Sequence, residues 1–170
     1  PPYSSAASDV YKRQHSRFVN FKYFFEDNLI FFSNYESHKA QNFIDNDKVC
    51  INFWWPNIEV QVRIEGTISK CEEKFSDEHF QGRKPEKNVA ALVSEQSKKI
   101  ESYDLLKQKY EAMKERIENG DYSHSRPDNW GGYQIKVHFF EFWEANDDRL
   151  NYRECYEKDN ESWSKYFLQS

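Results

Sequence analysis

From residue 59 to 70 the chain reads EVQVRIEGTISK, with Val60, Val62, Ile64, Gly66 and Ile68 alternating with Gln61, Arg63, Glu65, Thr67 and Ser69. A period of two with one apolar and one polar face predicts a half-buried strand of an antiparallel sheet, not a strand covered on both sides. KVCINFWW (48–55) sets Val49, Ile51, Phe53 and Trp55 against Cys50, Asn52 and Trp54, and Pro56-Asn57 then turns the chain. RFVNFKYFF (17–25) and NLIFFSN (28–34) are β-rich runs around Glu26-Asp27-Asn28, which is a hairpin signal. Strands are also predicted at WGGYQIKVHFFEFWE (130–144) and RLNYRECY (149–156), around a turn at 145–148, and at SWSKYFLQ (162–169).

Between these runs the period changes to that of a helix. SHKAQNFIDND (37–47) predicts a short helix with Ser37 as N-cap, and further helices are expected over 76–83 and 88–96. In SYDLLKQKYEAMKERIENG (102–120), Leu106, Tyr110, Met113 and Ile117 form an apolar stripe, and Gly120 ends the helix. Strands, then helices, then strands imply an α+β, mainly β domain: an antiparallel barrel with helices packed at one end. The first stretch, PPYSSAASDVYKRQ (1–14), is small, polar and aperiodic, and is expected to be disordered or foreign to the fold. The folded domain is assigned to 15–170.

Composition narrows the function classes. A chain of 170 residues fits one domain with a real core, and its net charge of −5 argues against a general nucleic-acid binder. Cys50, Cys71 and Cys155 form no CxxC pair and leave one cysteine odd, which suits a reducing compartment and a cytoplasmic location. The histidines (15, 38, 79, 124, 138) show no zinc spacing, so no metal is assigned. No run of 18 apolar residues predicts a membrane span.

RLNYR (149–153) poses a charge problem. If it is extended, Arg149, Asn151 and Arg153 share one face, and Leu150 and Tyr152 share the other. Two guanidiniums on one face repel unless an anion lies across them.

Six segments, in order and with consistent spacing, together resemble the pyridoxamine/pyridoxine 5′-phosphate oxidase family of FMN-binding split β-barrels. They are RFVNFK (17–22), FFSNYESHKA (31–40), VQVRIEG (60–66), SEQS (94–97), RPDNWGGY (126–133) and EFW with RLNYR (141–153). The resemblance implies a Greek-key-like antiparallel split barrel with peripheral helices, FMN as cofactor, and a homodimer with FMN at its interface. It implies that Arg17 and Lys22 bind the FMN phosphate and the substrate; their odd separation puts them on opposite faces of a flat strand. By the same resemblance Phe32, Ser33, His38, Lys39, Gln61, Gln96, Ser97, Trp143 and Arg153 contact FMN. His79, Arg83 and Lys87 hold the substrate phosphate, and Arg149 and Asn151 occupy the catalytic positions over the substrate.

Several positions depart from the family pattern. Asn151 stands where histidine is usual and cannot titrate. His79 and Lys87 replace a tyrosine and a serine, and His38 replaces an arginine. The family's N-terminal arm and first barrel strand are expected to be absent. The implied reaction oxidises pyridoxamine or pyridoxine 5′-phosphate to pyridoxal 5′-phosphate, with molecular oxygen as acceptor and hydrogen peroxide as product. The alternatives are a related flavin oxidase acting on another small aromatic substrate, as in phenazine biosynthesis, and a non-catalytic binder of FMN or pyridoxal phosphate.

Overall fold

A computed structural model describes residues 3–8, 14–122 and 125–170, with backbone only for 3–8 and 14. Its chain divides into two compact units. One comprises the residues up to Phe31, Asn42–Ser69 and Gln134–Ser170; the other comprises Phe32–Gln41 and Lys70–Tyr133.

The first unit is built on a sheet. Its strands are β1 (Tyr3–Ser8), β2 (Gln14–Val19), β3 (Phe21–Phe25), most of β4 (Asn28–Asn34), β5 (Lys48–Trp55), β6 (Val60–Lys70), most of β7 (Trp130–Glu144), β8 (Tyr152–Asp159) and β9 (Ser162–Phe167). The strand order is β2-β1-β5-β6-β7-β4-β3, with β8 pairing β7 and β9. The β5–β6 ladder is antiparallel, with Ile51 opposite Ile64 and Phe53 opposite Val62. The alternation of β6 does what its pattern predicts: Val60, Val62, Ile64 and Ile68 are buried alongside Val49 and Ile51 of β5. Ile135 and Val137 of β7 complete this core.

The β3–β4 hairpin forms around Glu26 and Asp27, both with positive φ (46° and 62°). Two such residues match the twist of the flanking strands.

Two expectations change here. The run 17–25 is not one strand: it breaks at Asn20, with β2 pairing β1 and β3 pairing β4. Its apolar character is continuous, but the pairing partner is not, so Arg17 and Lys22 lie on different strands and the single-strand argument for opposite faces does not apply. Tyr3–Ser8, expected outside the fold, forms β1, with Ser5 opposite both Arg17 and Ile51. A backbone ladder requires no particular side chain, so a small polar sequence can fill it. Residues 1–2 and 9–13 of that segment lie outside the described residues.

The second unit is mainly helical. It contains α2 (Glu73–Gly82), α3 (Pro85–Val93) and α4 (Tyr103–Glu118), the ends of β4 (to Asn34) and β7 (from Trp130), and the first turn of α1 (His38–Asp45). Pro85 begins α3 earlier than the expected 88, because its fixed φ suits the first helical turn. Ser102 caps α4 by accepting the Leu105 N–H at 3.1 Å, and Gly120 takes the left-handed conformation (φ +78°) just beyond the helix end, as expected. Ser37 precedes α1, and its carbonyl accepts the Gln41 N–H at 3.1 Å. Phe80, Val89 and Ser76 are fully buried.

No helix among the described residues is long and apolar enough to cross a membrane. Cys50, Cys71 and Cys155 are free thiols, and burial pushes that of Cys71 up to about 11.

Close approach of β6 and β7 depends on Gly66, where a Cβ would lie 2.5 Å from Ile135 Cγ2 and 2.7 Å from the Lys136 carbonyl oxygen. Backbone cannot yield as a side-chain end can. Gly66→Ala is expected to destabilise the fold by about 1–3 kcal/mol, read as a lower urea midpoint with an unchanged denaturant slope. An unchanged midpoint overturns this account.

Candidate active site

In the helical unit, three segments far apart in sequence meet. Lys39 of α1 is buried, and its Nζ donates to Ser33 Oγ at 2.9 Å and Ser37 Oγ at 3.4 Å. The Ser33 hydroxyl donates in turn to Gln96 Oε1 at 2.9 Å, which also accepts the Asn34 N–H at 3.2 Å. This chain of hydrogen bonds fixes the end of β4 and the segment after α3.

Beside it lies a cleft of about 250 Å³ lined by Phe32, Ser33, Arg83, Lys87, Gln96 and Trp130, among others. Arg83 caps α2, donates from Nη2 to the Lys87 carbonyl at 3.0 Å, and lies 4.6 Å above the Trp130 ring. Its Nη1 is buried with no hydrogen-bond partner among the described residues. Burial pushes the Arg83 pKa down, the mark of a partly desolvated cation.

Trp130 is held by Arg126, which donates from Nη1 to the Trp130 carbonyl at 2.7 Å and from Nε to Asp77 at 2.6 Å. His79 stacks flat on Phe32, with ring centroids 3.6 Å apart and planes 8° apart, and Phe32 stacks on Trp130 at 5.4 Å. The result is an aromatic wall with a guanidinium over one end.

The sheet unit carries a second cleft, of about 350 Å³, lined by Gln61, Arg63, Glu141, Trp143, Asn151, Arg153 and Ser170. Trp143 of β7 is the register partner of Arg153 on β8. At its floor the Glu141 carboxylate is bracketed by two guanidiniums. Arg153 contacts Oε1 through Nε and Nη2, both at 2.6 Å. Arg63 contacts Oε2 through Nε at 2.8 Å and Nη2 at 2.7 Å. Arg63 also bonds Glu65. The Glu141 side chain is 6% exposed and each arginine 29%. Burial pushes the Glu141 carboxyl up, but the hydrogen bonds and charges of Arg63 and Arg153 outweigh it and hold the group below its ordinary value. For Arg63, burial acts downward and Glu141 outweighs it upward.

This changes the reading of 149–153. The strand begins only at Tyr152, and Arg149 is exposed in the preceding turn with φ +61°, its N–H donating to the Asn146 carbonyl at 2.9 Å. Arg149 and Arg153 therefore do not share a strand face. The anion that meets Arg153 is the chain's own Glu141. Asn151 Oδ1 accepts the Asn146 N–H at 3.2 Å, so that half of its amide closes the turn.

Of the other expected positions, Arg17 is half-buried on β2 with Nη1 buried and lacking a hydrogen-bond partner among the described residues, and burial lowers its pKa. Lys22 and His38 are exposed. Ser97 has φ +73° and lines a different cavity, with Val93, Lys98 and Ile100.

Sequence reasoning missed Arg63, Glu141 and Trp130 as site residues. Glu141 was detectable, because it falls in the buried register of β7 with Ile135, Val137 and Phe139. Among the described residues, no group of three or more His, Cys, Asp or Glu is placed to hold a metal ion.

Residues 12–116 match the family model described as pyridoxamine 5′-phosphate oxidase, and residues 130–170 match the pyridoxine 5′-phosphate oxidase C-terminal dimerisation region. A pyridoxine/pyridoxamine 5′-phosphate oxidase from Colwellia psychrerythraea is 37% identical over 90% of this chain and 70% of its own length. One from Hydrogenovibrio crunogenus is 38% identical over 90% and 71%. Among solved structures, PhzG from Burkholderia lata 383, in complex with tetrahydrophenazine-1-carboxylic acid, matches with a TM-score of 0.88 and 25% identity, covering 99% of this chain and 82% of that one. A pyridoxamine 5′-phosphate oxidase-related FMN-binding protein from Nostoc punctiforme matches in fold with a TM-score of 0.78 at 15% identity, over 99% and 87%. The fold is the FMN-binding split barrel, α+β and mainly β, as the sequence implied.

The Glu141 bridge has a pH signature. A carboxyl whose folded pKa lies below its unfolded value adds stability that is complete above the unfolded range, about pH 4–5. That stability drains as pH falls through this range toward the lower folded value. Glu141→Gln is therefore expected to flatten the acid limb of stability against pH, measured by urea midpoints from neutral pH downward. A variant limb parallel to that of the parent overturns the assignment.

Proposed function

The chain belongs to the pyridoxamine 5′-phosphate oxidase family, an oxidoreductase family whose cofactor is FMN, and from that premise we propose that it oxidises pyridoxamine or pyridoxine 5′-phosphate to pyridoxal 5′-phosphate. Molecular oxygen is the acceptor and is reduced to hydrogen peroxide; with pyridoxamine phosphate, water supplies the aldehyde oxygen and ammonia leaves. The residues present fit the cofactor and a phosphorylated substrate. Two buried guanidinium nitrogens, Arg17 Nη1 and Arg83 Nη1, have no hydrogen-bond partner among the described residues, and such groups call for acceptors. Phosphates supply them in charge-assisted geometry.

The observation that carries the reading is the Arg83 cleft: an unsatisfied guanidinium beside Lys87, against the Phe32–Trp130 wall. In this reading Arg83 and Lys87 take the substrate phosphate, and His79, stacked on Phe32, extends the wall. Ser33, Lys39 and Gln96 hold one part of FMN through the network they form; Arg17 takes its phosphate; Gln61, Trp143 and Arg153 meet its ring. Lys22, Phe32, His38 and Ser97 stand as further contacts by resemblance, and the same resemblance assigns Arg149 and Asn151 to the substrate. Bound FMN supplies the two-electron acceptor and the route to oxygen. The side chains bind and orient; Asn151 cannot transfer a proton, so positioning is what it offers. The match of residues 130–170 to a dimerisation region supports a homodimer with FMN at its interface, and the exposed Phe18, Trp54 and Leu168 supply apolar surface for such contact.

A second reading rests on the likeness to PhzG: an oxidase acting on a reduced phenazine carboxylate, whose anion Arg83 and Lys87 would meet equally well. The test is anaerobic. The FMN-loaded protein is mixed separately with pyridoxamine phosphate, pyridoxine phosphate and tetrahydrophenazine-1-carboxylic acid, and flavin absorbance is followed. Bleaching by the vitamin phosphates, with peroxide on readmission of air, is expected. Bleaching by the phenazine alone transfers the assignment to the second reading, and a bound flavin that none of them bleaches defeats both.

Arg83→Met is expected to raise KM for the phosphorylated substrate roughly 10- to 100-fold, the loss of one charge-assisted hydrogen bond, with kcat little changed. An unaltered KM removes Arg83 from the substrate site.

A further inference from the structure

We propose that Glu141 is a positioning residue that sets the guanidinium of Arg153 for FMN; this rests on the placement of Arg153 at the flavin. The carboxylate takes two N–H groups from each arginine, one oxygen per guanidinium. Arg153 Nη1 donates at 3.0 Å to the Gln169 carbonyl, so all three of its nitrogens are anchored and the plane of the fork is fixed. What remains of the fork lines the cleft with Gln61, Trp143 and Asn151.

A buried ion bridge is weak evidence of a stabilising role, because desolvation offsets attraction. An unanchored arginine must give up side-chain rotamer freedom in any contact it makes. Glu141 removes that freedom before a ligand arrives, which is preorganisation. Arg63 completes the brace: its ring contact over Phe139 (4.7 Å) and its bond to Glu65 keep the far side of the carboxylate filled.

Charge and orientation predict opposite effects. Neutralising Glu141 raises the net positive charge near an anionic ligand and by charge alone tightens FMN. A weaker FMN complex is therefore the signature of lost orientation.

The experiment is a double-mutant cycle read by flavin fluorescence on folded protein, with circular dichroism as the check of folding. Glu141→Gln is expected to raise the FMN Kd about tenfold or more, the equivalent of one charge-assisted hydrogen bond. Glu141→Asp, which keeps the charge at shorter reach, is expected to lose less and decides the matter if Glu141→Gln does not fold. In an Arg153→Ala background the Glu141 substitution is expected to change Kd by less than about twofold, because the group it acts through is gone. Unchanged or tighter FMN binding in Glu141→Gln, with only thermal stability reduced, overturns the proposal. So does an effect that persists undiminished in the Arg153→Ala background. If Arg153→Ala itself leaves FMN affinity untouched, the placement of Arg153 at the flavin fails, and the inference with it.

Discussion

A cation withdrawn from water must be met by an acceptor, and that requirement organises both clefts. In the sheet unit it is met internally: Glu141 answers Arg63 and Arg153 together. In the helical unit Lys39 reaches the hydroxyls of Ser33 and Ser37, while Arg83 keeps one nitrogen buried and unanswered. On the proposed reading, the difference separates groups that build the site from groups that wait for a ligand. Arg153 is braced, and Arg83 is poised.

The scaffold makes this possible because its two periodicities are kept apart. The period of two in β5 and β6 delivers one apolar face to the sheet core and leaves the other for Gln61 and Arg63, while in β7 Glu141 and Trp143 continue the register of Ile135, Val137 and Phe139. The helices place Arg83 at the end of α2 and Lys87 in the first turns of α3, where a short connection through Pro85 brings them close. Aromatic stacking of His79, Phe32 and Trp130 gives these cations a flat, rigid backing.

Much of the fold could be read from local pattern. The strands from Lys48 to Lys70, the cap at Ser102, the stop at Gly120 and the hairpin at Glu26-Asp27 depend on side chains near in sequence, and they form where the pattern put them. The resemblance named Ser33, Lys39 and Gln96 as FMN contacts, and in the structure these three side chains are joined by hydrogen bonds. The run 17–25 misled because apolar continuity does not reveal a change of partner, and β1 was missed because backbone pairing leaves no side-chain signature. RLNYR misled because one left-handed residue, Arg149, breaks the alternation that the sequence displays.

The amino-acid order alone determined which faces are apolar, where helices start and stop, and which residue types are available for anions and rings, because these follow from side-chain chemistry and the two backbone periods. Only the tertiary structure decided that Glu141 lies between Arg63 and Arg153, and that Arg83 ends over Trp130 with a nitrogen to spare. Those outcomes depend on the register between strands and the packing of helices distant in sequence, where a shift of one residue would put each charge on the opposite face.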